Sequence, residues 1–131
     1  MRDHNKLRAF QLADEIALLV YQVTRGFPVE EMYGLTAQMR RAAVSIPSNI
    51  VEGCARSTEA DFRRFLEIAF GSLRELHYQS GLSYRLGFLP ADDNRECDSL
   101  FDEAERVLAG LLRSLPTPAK RPSSRRPKLN R

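Results

Sequence analysis

The 131-residue chain holds two cysteines and two histidines, and its seven glycines never cluster. Cys54 and Cys97 have neither metal-ligand spacing nor a disulfide-rich setting, so they read as small core residues. A di-iron bundle needs Glu-x-x-His on two helices. Here Glu75 and His77 stand two apart, on different faces of a helix, and the other histidine is His4. Spacing suggests no histidine or lysine partner for Ser45. Gly53, Gly71, Gly81 and Gly87 are isolated, which leaves no phosphate-cradling loop. Long apolar runs are missing as well: the longest, Ile16 to Tyr21, falls far short of the roughly 17 residues that span a bilayer. Asp3, Asp14 and Glu15 interrupt any apolar region of signal-peptide type. No stretch alternates with period two. These absences predict no catalysis, no cofactor or metal, no membrane contact, and a reducing cytoplasm as the compartment.

What is present is helical periodicity. The first helix is expected over residues 7–25, with Phe10, Ala13, Ile16, Ala17, Val20, Val23 and Phe27 recurring at three- and four-residue steps. Gly26 then serves as a left-handed cap and Pro28 as a stop. After a link with one irregular turn near Glu30 and Glu31, a second helix runs from Thr36 to about Glu52 and ends at Gly53. Pro47 stands inside it at a cost of roughly 3 kcal/mol, which predicts a kink whose gap Ser45 and Asn49 fill. A third helix begins after Ser57 or Thr58, where Thr58 and Asp61 three residues on resemble a capping box, and continues to about Leu86 before Gly87 stops it. Phe62, Phe65, Leu66, Ala69, Leu73 and Leu76 form its core face. The fourth, from about Pro90 to Pro116, carries Cys97, Leu100, Phe101, Ala104, Val107, Leu108, Leu111 and Leu115 inward. Short links imply antiparallel neighbours, hence an all-α, up-down-up-down four-helix bundle over residues 1–116.

Residues 117–131 differ in kind. They hold six of the twenty basic residues and no acid, among three prolines and two serines, so they read as a disordered basic tail. The body is left with fourteen basic and seventeen acidic residues, net −3. Such a tail either contacts nucleic acid or an acidic surface, or merely solubilises. The expected RNA contacts are Arg40, Arg63 and Arg64 on the body with Lys120, Arg121, Arg125, Arg126 and Lys128 in the tail. Phe70, Tyr78, Leu82 and Tyr84 give the third helix extra apolar surface and are the expected self-association face. Gln38, Arg41, Ser45, Asn49 and Glu52 line one side of the second helix, and an interhelical polar network reaching Glu75 is expected.

The block from Tyr33-Gly34-Leu35-Thr36 through Gln38-Met39-Arg40-Arg41-Ala42-Ala43-Val44-Ser45-Ile46-Pro47-Ser48-Asn49-Ile50 to Glu52-Gly53 carries a further signal. With Phe27-Pro28-x-Glu30, Arg56 and Ala69-x-Gly71-Ser72-Leu73-x-Glu75-Leu76, it resembles the four-helix bundle proteins named for 23S rRNA intervening sequences, also called the S23 family. The likeness covers about residues 7–89. It implies a small bacterial protein, an antiparallel bundle and a ring of five copies. The family name records genes lying inside inserted segments of 23S rRNA genes, which is a location and not an activity. A related branch is the accessory determinant of diversity-generating retroelements, a basic pentamer that binds nucleic acid and works with a reverse transcriptase. By resemblance, therefore, the chain is either a nucleic-acid-binding oligomer or a protein-interaction scaffold for such an enzyme. Two features depart from the family pattern: Phe10 stands where tryptophan is frequent, and His77-Tyr78-Gln79-Ser80 replaces Glu-x-Gln-Leu.

Overall fold

Apolar side chains at helical spacing produce four helices that bury them against one another. The computed structural model describes residues 1–116. It contains α1 (Arg8–Thr24), α2 (Leu35–Cys54), α3 (Glu59–Arg85) and α4 (Ala91–Ser114), with single 3-10 turns at His4–Lys6 and Val29–Glu31. No strand occurs among the described residues, so the fold is all-α. α2 packs on α1 and α3, α4 closes on α3 and α1, and the diagonal pairs do not meet. Ser45 faces Ser72 while Gly53 faces Phe62 and Phe65. Arg63 reaches Leu112 while His77 reaches Asp98. α2 with α3, and α3 with α4, thus run in opposite directions, which is compatible with the expected up-down-up-down order.

The core is built from Leu12, Ile16 and Val20 of α1, Met39, Ile46 and Ile50 of α2, Phe62, Leu66, Leu73 and Leu76 of α3, and Phe101 and Leu108 of α4, all fully buried. Each contributes about 1.5–3 kcal/mol relative to exposure. Of the nine buried positions on α3, seven (62, 66, 69, 73, 76, 80 and 83) alternate steps of four and three, with Phe65 and Gln79 flanking them. The stripe therefore continues through Ser80 and Ser83, which are fully buried, rather than turning toward Leu82 and Tyr84. Being polar, the two serines escape a search for apolar side chains. Ser83 satisfies its hydroxyl by donating to the Ser80 carbonyl at 2.7 Å.

Helix ends depend on local chemistry. Thr58 Oγ1 accepts from the Asp61 amide at 3.1 Å, as its spacing predicts. Glu31, in the 3-10 turn, places Oε2 2.9 Å from the Leu35 amide and so caps α2 from outside the helix. Gly34 makes room for that carboxylate, since a Cβ there would lie 2.7 Å from Oε2. Gly87 takes φ +82, and the amides of Gly87 and Phe88 return to the Tyr84 and Ser83 carbonyls. Gly26 does not act as the expected left-handed cap: Gly87 is the one positive-φ residue described, and α1 ends on Arg25 in right-handed geometry. Gly53 does not end α2 either. It lies inside the helix, where a Cβ would meet that of Phe65 at 2.9 Å. α2 also continues through Pro47. One turn N-terminal to Asn49, the Ser45 carbonyl receives the Asn49 side-chain amide at 2.7 Å.

Candidate functional site

An unburied apolar surface lies where α1 ends and α2 begins. Tyr33, in the link before α2, is 93% exposed, and Met32, Tyr21 and Val44 are exposed beside it. Two adjoining grooves, of about 340 and 530 Å³, share Met32, Thr36 and Arg40. Thr24 and Pro28 line one, and Tyr33, Ala37 and Arg41 the other. The amphipathic pattern leaves this surface open because Tyr21 and Val44 sit opposite the buried stripes of their helices, while Met32 and Tyr33 belong to a loop with no helix over it.

Arg40 braces this region instead of standing free for phosphate, as expected of it. Its Nε donates to Thr24 Oγ1 at 2.9 Å, its Nη2 to the Tyr21 carbonyl at 3.5 Å, and its guanidinium lies 4.6 Å from the Tyr21 ring centre. Arg63 is likewise engaged. Its Nη2 donates to the Leu112 and Leu115 carbonyls at 2.9 and 3.3 Å, and its Nη1 faces Glu67 at 3.6 Å. The unpaired carbonyls at the end of α4 attract this cation, which spends its donors there. Arg64 is exposed and stacks over Phe65 at 4.6 Å. Of the three body arginines expected to bind RNA, Arg64 alone keeps its donors outward. Lys120, Arg121, Arg125, Arg126 and Lys128 lie outside the described residues.

The interhelical polar network is smaller than expected. Ser45 Oγ meets Ser72 Oγ at 2.8 Å, and Asn49 Nδ2 donates to Ser45 Oγ at 3.0 Å. Gln38 and Arg41 are exposed and do not join them. Glu52 instead pairs with Arg56 at 2.7 Å, and Glu75 accepts from Gln79 at 3.2 Å. Within one helix a partner four residues away is closer than one on the neighbour, so these long side chains pair locally. The expected association face on α3 is also divided. Tyr78 and Tyr84 are exposed, Leu82 is half-buried, and Phe70 packs against the core beside α4. Phe70 is therefore not part of a free surface stripe.

The family model for 23S rRNA-intervening sequence proteins matches residues 5–110, the four helices nearly complete. The chain belongs to that family. No curated protein matches it. Among solved structures, it is similar in fold to a protein of unknown function from the S23 ribosomal protein family of Bacteroides thetaiotaomicron VPI-5482. That likeness has a TM-score of 0.75 at 20% identity and covers 81% of this chain and 99% of the other.

In this intervening-sequence protein the α3–α4 seam carries a second polar group. His77 Nδ1 lies 2.9 Å from Glu105 Oε1 and its Nε2 3.2 Å from Asp98 Oδ1, while Arg74 Nη1 takes Glu105 Oε2 at 3.2 Å. The spacing of Asp98, Asp102 and Glu105 on one helix face was available in the sequence, but their opposition to His77 depends on how α3 meets α4. Both cysteines are buried and free. Burial pushes the Cys54 thiol up, and pushes Cys97 up to about 12 against a smaller downward pull from the Ser80 hydroxyl. The Ser80 contact is too loose to be a hydrogen bond: Ser80 Oγ, Gln79 Oε1 and Asn94 Oδ1 are buried without a partner among the described residues. No helix described is long and apolar enough to cross a membrane.

Proposed function

We propose that this family member is a non-enzymatic subunit that assembles with copies of itself and holds RNA or another nucleic acid through the assembly. The observation that carries the reading is the open α1–α2 surface of Tyr21, Met32, Tyr33 and Val44, whose water-exposed rings and grooves suit an interface core. Elsewhere Ile68 and Tyr78 on α3 and Leu86 just past its end are exposed as separate apolar side chains. Contact between this α1–α2 surface and an unlike surface of the next copy is head-to-tail, and closes into a ring when the rotation allows. The family resemblance favours five copies. With the body net acidic and Arg40 and Arg63 engaged internally, phosphate contact falls to Arg64 and the basic residues 117–131, which an assembly would present several at a time.

Light scattering on the full chain tests the assembly. A closed oligomer is expected, and Tyr33→Asp with Val44→Glu should give monomers of unchanged helical content. A wild-type monomer from micromolar to millimolar concentration would overturn the reading. A second reading, a scaffold for a different protein, is favoured by the concave form of the α1–α2 grooves. Stable assembly with no retention of RNA at low salt would put that reading first.

A further inference from the structure

We infer that α3 and α4 form a binding site for a divalent transition-metal ion, Zn(II) foremost, from His77, Asp102 and Glu105, with Asp98 as the carboxylate behind the imidazole. One ligand atom from each of His77, Asp102 and Glu105 lies within 4.8 Å of the others. Asp98, Asp102 and Glu105 are one turn apart along α4, so their carboxylates share the face that meets His77. The imidazole is half-buried with its ring edge-on to Phe101, centres 5.4 Å apart, which holds its orientation.

A neutral imidazole cannot donate to both of its carboxylate neighbours, and a cation at the ring would satisfy the second. A neutral ring has one N–H and one lone pair, yet carboxylate oxygens face both of its nitrogens, at 2.9 and 3.2 Å. With the N–H at Nε2 directed to Asp98, the Nδ1 lone pair confronts Glu105 Oε1. Two donors that share one tetrahedral ion, each about 2.0–2.2 Å from it, sit roughly 3.3–3.6 Å apart. Nδ1 and Oε1, 2.9 Å apart, would separate by about half an ångström to admit it. Asp98 then occupies the outer position that fixes the tautomer of metal-bound histidines. Arg74 takes Glu105 Oε2 and leaves Oε1 to the ion. A groove of about 410 Å³, lined in part by Phe70, Asp102, Glu105 and Arg106, opens beside these carboxylates and admits the waters that complete the shell. A nitrogen with two oxygens suits Zn(II) or Co(II) better than Mg(II) or Ca(II). Such an ion would fasten α3 to α4.

The test uses the untagged full chain, stripped with chelator. Calorimetric titration with Zn(II) is expected to show one saturable site per chain, and Co(II) to develop a visible absorption band there. His77→Ala should abolish both signals. Asp102→Asn, at an exposed position that leaves the core intact, should weaken binding at least about tenfold, and Asp98→Asn about tenfold as an outer carboxylate. His4→Ala and Asp92→Asn should bind as the wild type does. Nitrogen NMR should place the metal shift on His77 Nδ1. Absence of saturable binding, or unchanged affinity in His77→Ala and Asp102→Asn, would overturn the site.

Discussion

Gly53 and Gly71 show how differently one residue type serves the same bundle. At Gly53 an added Cβ would press on the Phe65 Cβ at 2.9 Å, an atom held by its own backbone. Gly53→Ala is expected to cost about 1–3 kcal/mol by overpacking the α2–α3 contact. At Gly71, exposed on α3 with nothing within 4 Å, alanine is expected to stabilise by roughly 0.5–1 kcal/mol through helix propensity. Urea unfolding of the two variants checks both signs. Cys97 carries a pH dependence. Its thiol is raised from the ordinary 9.0 to about 12, chiefly by burial. Between those values the unfolded chain releases a proton that the folded chain keeps. Stability is therefore unaffected below pH 9 and falls as pH rises toward 12, by at most about 1.4 kcal/mol per pH unit. Cys97→Ala should start less stable, having lost packing, yet decline less between about pH 8 and 11. Equal declines in urea midpoint would refute burial as the cause. Which cysteines are core residues was legible from their apolar neighbours; the extent of burial needed the other helices in place.

Helices announce themselves locally, and their ends do so only in part. The cap at Thr58 follows from residues three apart, and the C-terminal turn at Gly87 from a glycine after a periodic run. The cap of α2 was not legible, because Glu31 reaches Leu35 from within a preceding 3-10 turn and works only with Gly34 beside it. Glu31→Ala is expected to cost about 1 kcal/mol, with Glu31→Gln intermediate because it keeps an acceptor but loses the charge that favours a helix N-terminus. Faster hydrogen exchange at the Leu35 amide, alongside the lower urea midpoint, would place the loss at this end; unchanged exchange there would remove Glu31 as the cap. On α3, continuing the four-and-three alternation that starts at Phe62 identifies Ser80 and Ser83 as core positions once polarity is set aside. The same periodicity could not divide the remaining apolar residues. Phe70 and Tyr78 both lie off the stripe, but α4 covers the first and leaves the second in water.

For the whole molecule, the division between an acidic body and a basic end sets the expected response to salt. If residues 117–131 bind RNA, their six charges limit counterion release, and log affinity against log salt should slope at about −4 for single strands. Deleting them should remove most retention in filter binding and leave helical content and oligomer size as they were. Equal retention by both chains would exclude them as the main contact. Composition and period alone determined an all-α chain of four helices, because burying an apolar stripe every 3.6 residues has few other solutions. The family was legible too, but through resemblance: the block from Tyr33 to Gly53 sets a polar edge and an interior proline in an order that resembles the intervening-sequence proteins. Only the tertiary structure decided which polar groups are free. Arg63 binds the end of α4, Arg40 the end of α1, and His77 a row of carboxylates on α4. Each of those partners lies 16 to 52 residues away in the chain or belongs to a neighbouring helix, so local spacing carries no trace of it. The open α1–α2 surface has the same origin: exposed side chains from a helix, a loop and the next helix become one face only when α1 and α2 pack.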